Sequence, residues 1–97
     1  MMEINNLYSL LNLLTMDGIR SFQVRCVYAD GLGYSIFEIT FTNKVDLRNL
    51  GKIVFQYETG RVLNYFYEGK KFRKTDKIVD LLLDIYNYER DKKALKN

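Results

Sequence analysis

The sequence contains no histidine, proline or tryptophan, and Cys26 is its only cysteine. Without histidine, the commonest general base at neutral pH is missing and the usual zinc ligand sets cannot be assembled. A single thiol cannot form a disulfide within the chain. We therefore expect neither a metal nor a disulfide to hold the fold together. We predict no cofactor and no enzymatic activity, and expect a protein that acts by binding.

The amino terminus lacks the features of an export signal. No basic stretch precedes its leucines, and Asn12 interrupts them. No segment of the sequence reads as a membrane span. Together with a free thiol, these absences predict a cytoplasmic protein without a membrane partner. Because no repeat, proline-rich linker or low-complexity tract is visible, residues 1–97 are predicted to form one domain.

Positive charge is concentrated in the carboxy-terminal third. Residues 1–69 hold six basic and seven acidic side chains, whereas residues 70–97 hold nine basic and five acidic ones. Most of the carboxylates fall in turns, on a polar helix face or opposite an arginine, and we predict no catalytic residue among them. The excess of positive charge instead indicates that the carboxy-terminal third binds a partner.

Two helices and a hairpin follow from the spacing of apolar side chains. Helical periodicity predicts amphipathic helices over residues 3–16 and 76–94. From residue 20 the period changes to two. Pairing residues whose numbers sum to 63 places Val24 opposite Ile39 and Arg25 opposite Glu38, and every pair is chemically matched. In this register Cys26 lies on the apolar side, and we expect it in the core.

A second hairpin is predicted between residues 52–57 and 62–67, with a loop containing Gly60. A two-residue turn at Glu68 and Gly69 then returns the chain, and the connector of residues 43–51 is predicted to contain one helical turn. The sequence thus predicts a two-layer α+β fold in which both helices cover one face of an antiparallel meander of four, or five, strands (α-β-β-β-β-α). The pairs expected in the second hairpin are Tyr57–Arg61, Phe55–Leu63 and Ile53–Tyr65, with Phe72 facing Tyr65 across the turn.

One candidate binding surface lies on the outer face of the second hairpin. The register that buries Phe55 turns Phe66, Lys71 and Arg73 outward, near Lys52. An aromatic ring among cations suits an acidic protein surface or single-stranded nucleic acid. The alternatives are that Phe66 packs beneath a loop or that the register is shifted by one residue. The last helix, which is polar beyond Tyr88, is predicted to project its basic end into solvent towards an acidic partner, through Arg90, Lys92, Lys93 and Lys96.

Two apolar clusters are further candidates. At the tip of the first hairpin, Val27, Tyr34 and Ile36 lie on the otherwise polar side, where they form a contact patch or, as we expect, are covered by the 43–51 connector. The last helix carries a broader apolar surface than a two-layer domain normally hides. The residues at its margin form the face of a symmetric homodimer, unless the first helix covers them; they are Val79, Leu83 and Tyr86.

The composition, rich in lysine, asparagine, isoleucine and tyrosine, is similar to that of small proteins of low-GC bacteria, their phages and mobile elements. The resemblance is compositional and implies no site residues. Many such proteins act by stoichiometric binding. We predict a protein-binding domain that modulates or inhibits a host protein on behalf of a phage or mobile element. The alternative is a nucleic-acid-binding protein that uses the same cations.

Overall fold

The computed structural model describes residues 4–73 and 76–95. They form a four-stranded antiparallel sheet in the order β1-β2-β3-β4, with a helix at each end of the chain. The predicted two-layer α+β fold is confirmed, with four strands in the described residues. In chain order the elements are α1 (Ile4–Leu14), β1 (Arg20–Ala29), β2 (Ser35–Asn43), β3 (Asn49–Gln56), β4 (Arg61–Tyr67) and α2 (Ile78–Leu95).

One core joins the two helices to one face of the sheet. The leucines of α1 recur every three to four residues and the apolar residues of α2 do the same, so each helix buries a single stripe. Neither helix of the described ranges is long and apolar enough to cross a membrane. The core is made by Leu7, Leu11 and Leu14 of α1, by Ile78, Leu81, Leu82 and Ile85 of α2, and by Ile39, Phe41, Leu50, Ile53, Phe55 and Tyr67 of the sheet.

The predicted register of the first hairpin is confirmed from Arg20 to Cys26, where paired residue numbers sum to 63. A β-bulge at Val27 then shifts the pairing by one residue. The expectation that Cys26 is buried is wrong, because its side chain is exposed. Residues 25–29 are exposed on both sides of β1, which shows that the hairpin extends past the layer of helices.

The second hairpin contains a bulge that the alternation did not indicate. Ile53 pairs with Tyr65 as predicted, but Phe55 pairs with Val62, which leaves Leu63 as the extra residue. The predicted Phe55–Leu63 pair is therefore wrong, and Leu63 is 45% exposed. The pairing of Val62 rather than Leu63 with Phe55 agrees with a second contact of Val62. Its N–H donates to the Asp76 carbonyl at 3.1 Å, which joins β4 to the segment before α2.

The loop of this hairpin also differs from the prediction. Arg61 pairs with Gln56 rather than with Tyr57, so four residues, 57–60, connect the strands. Gly60 has a φ of 74°, a left-handed conformation that glycine adopts without steric cost. Its carbonyl accepts a hydrogen bond from the Ile78 N–H at 2.7 Å, and this bond fixes the start of α2 against the hairpin.

The connector between β2 and β3 is a turn rather than the predicted helical turn. The side-chain oxygen of Asn43 accepts hydrogen bonds from the N–H groups of Val45 and Asp46, at 2.8 and 3.3 Å. Such side-chain bonds compete with helix formation. Gly51, the last residue of the predicted connector, lies within β3.

The two-residue turn after β4 is confirmed. Glu68 and Gly69 both have positive φ, 49° and 69°, and the Lys70 N–H donates to the Tyr67 carbonyl at 2.8 Å. This geometry is that of a type I′ turn. The chain then passes beneath the sheet edge, and the Phe72 ring lies 6.2 Å from that of Tyr65, as predicted.

Candidate protein-binding surface

Phe66 lies on the face of the sheet that points away from the helices. It pairs with Lys52 of β3, and 53% of its surface is exposed. The predicted outward placement is thus confirmed, and no loop of the described residues covers the ring. Lys52 forms an ion pair with Glu38 at 3.6 Å. Because Arg25 also pairs with Glu38, at 3.0 Å, two cations share one carboxylate on this face.

A surface groove of about 430 Å³ runs beside Phe66 along the open edge of β4. We call it the β4 groove. Its lining includes the apolar side chains of Leu63 and Phe66 and the lysines Lys70 and Lys71. Among the described residues that line it, none is acidic. Arg73 is exposed just beyond the groove and does not line it.

The Tyr88 ring of α2 lies close to two lysines, one of which, Lys70, lines the β4 groove. The ammonium groups of Lys70 and Lys92 lie 5.4 and 4.9 Å from the centroid of its ring. Phe72 meets the same ring edge-on at 5.9 Å. Cation–π attraction of this kind is worth about 0.5–1 kcal/mol at exposed sites. The sequence did not indicate this contact, because Lys70 and Tyr88 belong to separate elements.

Lys92, predicted to project into solvent, is instead half-buried. Its ammonium group pairs with Glu68 at 3.0 Å and with Glu89 at 3.5 Å. Partial burial alone lowers the pKa of an ammonium group, but the hydrogen bond to Glu68 and the charge of Glu89 outweigh it, so the pKa of Lys92 is raised. Lys92 therefore links α2 to the turn after β4, and Glu68 and Glu89 largely neutralise its charge.

The other basic residues of α2 lie apart from the β4 groove. Arg90 is exposed and pairs with Asp91 at 3.6 Å, and Lys93 is exposed. Both line a separate cleft of about 350 Å³ between the ends of the two helices, together with Leu13. Lys96 lies outside the described residues. The predicted basic surface is thus divided between two places.

Glu89 is a buried carboxylate that the sequence interpretation missed. It accepts hydrogen bonds from the Tyr67 hydroxyl at 2.9 Å and from Arg20 at 3.1 Å. Burial, followed by the charge of Glu89, raises the pKa of Tyr67 well above its ordinary range, so the phenol remains a donor. The spacing of the sequence could have indicated the burial of Glu89, because Leu82, Ile85 and Glu89 lie on one helical stripe of α2 that is buried.

The tip of the first hairpin is uncovered. Val27 and Tyr34 are 44% and 42% exposed, and Ile36 is partly buried. The connector expected to cover them lies at the other end of the hairpin, where the Lys44 N–H donates to the Ile19 carbonyl at 2.7 Å. The expectation of cover is therefore wrong, because a connector between β2 and β3 stays at the end where β2 finishes.

The apolar margin of α2 is partly covered by the rest of the fold. Val79 and Tyr86 are half-buried and pack against the core, while Leu83 is 42% exposed. The first helix lies beside α2, as the alternative to self-association requires. Leu83 alone remains as an exposed residue of the predicted self-association face.

In the parts of the chain that the structure describes, no three histidine, cysteine, aspartate or glutamate side chains are grouped as a metal site requires. Comparisons with protein-family models, with curated proteins and with solved structures give no match.

Proposed function

We propose that this chain is a non-catalytic protein-binding domain and that its β4 groove engages an acidic part of another protein. The observation that carries the proposal is Phe66, a large ring about half of which is exposed between Lys52 and the lysines of the groove. Aromatic residues beside a groove are typical of the few positions that dominate binding energy. Lysines around such an anchor favour association with a surface of opposite charge.

The partner is proposed to be a host protein that the chain modulates or inhibits by occupying its surface, as the phage-like composition suggests. Lys71 lines the groove and Arg73 lies just beyond it; neither forms an ion pair with another described residue, so their charge is available to a partner. Their substitution should therefore affect binding far more than folding. Lys92, in contrast, is held by Glu68 and Glu89 and is not proposed to contact the partner.

Affinity capture from a lysate of the native host tests the proposal. The bait variants are Phe66→Ala and the double charge reversal Lys71→Glu with Arg73→Glu. The matched control is Lys44→Glu, a charge reversal at an exposed connector residue that does not line the groove. A protein retained by the wild type and by the control, but lost with both groove variants, supports the proposal when all melting temperatures agree within a few degrees.

Two outcomes contradict the proposal. The first is a captured protein that both groove variants retain. The second is capture of nucleic acid that nuclease treatment abolishes, with an affinity that falls steeply as salt rises, because each phosphate contact releases counterions. That result supports the alternative of nucleic-acid binding, and the ratio of absorbance at 260 and 280 nm during purification gives an early indication of it.

A further inference from the structure

The sheet has two open edges, and the longer one belongs to β1. In the strand order β1-β2-β3-β4, β1 has ten residues and, within residues 4–73 and 76–95, pairs only with β2. At β4 the segment before α2 already bonds part of the edge, through Val62 and a bridge between Arg61 and Lys77. An unprotected edge strand is a template for pairing with another strand.

The hydrogen bonds of the hairpin show which backbone groups face this edge. The Lys44 N–H donates to the Ile19 carbonyl, so the backbone of residue 19 points towards β2. Because the direction alternates along an antiparallel strand, residues 21, 23 and 25 also bond to β2. The backbone N–H and C=O groups of Phe22, Val24 and Cys26 therefore point to the open edge.

The helix-facing side of this edge is only partly covered. Phe22 and Val24 are half-buried, and Cys26 on the same side is exposed, whereas Ile39 opposite Val24 is fully buried. The Tyr8 ring of α1 lies 6.4 Å from the Phe22 ring and is itself 42% exposed. The stretch 21–26 contains no proline and no inward-facing charge, two devices that natural edge strands use against pairing.

The charges near the two edges favour different occupants. Arg20 pairs with Asp17 and Glu89, and Arg25 pairs with Glu38, so both arginines of β1 have carboxylate partners within the chain. The β4 groove is lined by lysines and would repel a second positively charged copy. A second copy of the chain therefore suits the β1 edge and not the β4 edge.

We propose that the protein forms a symmetric dimer by pairing of two β1 strands, antiparallel, with Val24 opposite the partner's Val24. In this register Phe22 faces the partner's Cys26, so each ring covers the thiol that the monomer leaves exposed. On the other side Gln23 faces the partner's Arg25, and no like charges meet. Phe22, Val24 and Cys26, whose backbone groups point to the open edge, each form a hydrogen-bonded pair with a residue of the partner strand. At two hydrogen bonds for each pair, the interface contains about six interchain hydrogen bonds.

Sedimentation equilibrium of the full chain from 10 µM to 1 mM tests this dimer. The mass should rise towards that of two chains with concentration, and amide exchange should report where the chains meet. The Val24 amide proton should exchange freely at the lowest concentration and become protected at least tenfold at the highest. The Gln23 and Arg25 amide protons, which bond to β2, should be protected equally at both concentrations.

Two edge variants and one control complete the test. Cys26→Lys places a charge at an exposed position of the interface, and Val24→Pro removes an edge-facing donor without breaking the ladder to β2. Both should remain single chains at 1 mM, whereas Leu83→Glu on α2 should dimerise like the wild type. A wild type that stays monomeric at 1 mM overturns the proposal. So does a dimer that survives Cys26→Lys, or one that Leu83→Glu abolishes.

Discussion

The Tyr67 hydroxyl donates a hydrogen bond to Glu89 Oε1 at 2.9 Å and thereby joins the last residue of β4 to α2. Arg20, the first residue of β1, reaches the other oxygen of the same carboxylate at 3.1 Å. Tyr67 is fully buried, and a buried phenol requires a hydrogen-bond partner. A polar network, and not apolar contact alone, therefore sets how the end of α2 lies on the sheet.

Removal of this carboxylate should destabilise the fold strongly. Glu89→Ala leaves the Tyr67 hydroxyl without its acceptor and removes one of the two carboxylates that pair with the largely buried Arg20, so we expect the free energy of unfolding to fall by about 3 kcal/mol. Urea denaturation measures the change. The control is Asp91→Ala, an exposed carboxylate two residues later, which should cost less than about 0.5 kcal/mol. Equal stability of the two variants would show that the network contributes little.

Gly51 should not tolerate a side chain. A Cβ atom at this position would lie 2.5 Å from the Phe66 carbonyl oxygen and 2.7 Å from Tyr67 Cδ2. Gly51→Ala must therefore shift the backbone of β4, at a cost of about 2 kcal/mol in the free energy of unfolding. Lys52→Ala, at the next and exposed position, should stay within about 0.5 kcal/mol of the wild type. A thermal or urea unfolding series compares them, and a neutral Gly51→Ala would contradict the close approach of β3 and β4.

Glu58 should titrate below its ordinary range because of Ser35. Its Oε2 accepts a hydrogen bond from the Ser35 hydroxyl at 2.6 Å and its Oε1 one from the Ser35 N–H at 2.8 Å, and the hydroxyl bond is the main cause of its lowered pKa. A carboxyl with a lowered folded pKa stabilises the fold above its unfolded pKa, and this stability disappears as the pH falls through the folded pKa. Ser35→Ala should therefore raise the pKa of Glu58 towards 4.5.

An NMR titration of the side-chain carboxyl carbon measures this pKa, with Ser21→Ala as the control that should leave it unchanged. The difference in melting temperature between the wild type and Ser35→Ala should be larger at pH 7 than at pH 3. An unchanged Glu58 titration in Ser35→Ala would contradict the assignment.

Cys26 should react in the folded state. Its side chain is exposed, and its thiol donates a weak hydrogen bond to the Tyr28 carbonyl at 3.3 Å. At a concentration of about 1 µM, an aromatic disulfide reagent should label one thiol per chain within a factor of about ten of the rate in urea. Cys26→Ser gives the blank. A thiol that reacts only in the unfolded protein would contradict the exposed position and would indicate that Cys26 is buried, as the alternation of the sequence predicted.

The sequence predicted the first hairpin well because each of its pairs constrains the register independently. Alternation, the Arg25–Glu38 pair and the apolar pairs all give the same sum of residue numbers. The second hairpin offered Val62 and Leu63, two aliphatic residues of equal merit for the core. The bonds of residues 60–62 to the segment before α2 distinguish between them. Because those bonds join parts of the chain that local patterning does not relate, the pattern could not reveal the bulge.

The site was predictable in part for a similar reason. The orientation of Phe66 depends on its register with Lys52, which lies beyond the bulge and is unaffected by it. The end of α2 was misjudged because a lysine and a glutamate were taken as solvent-exposed by type. Lys92 and Glu89 are held by Glu68, Arg20 and Tyr67, and those contacts depend on the packing of α2 over the sheet.

The meander places its first and last strands at opposite borders of the sheet, and this arrangement determines valency. A pair of chains joined along β1 would carry its two β4 grooves at the far borders of one eight-stranded sheet, about 34 Å apart at the usual spacing of neighbouring strands. Such an assembly would hold two partner molecules at once, or grip two neighbouring subunits of an oligomeric target. In the second case the effective concentration of the tethered groove would strengthen a weak single contact by orders of magnitude.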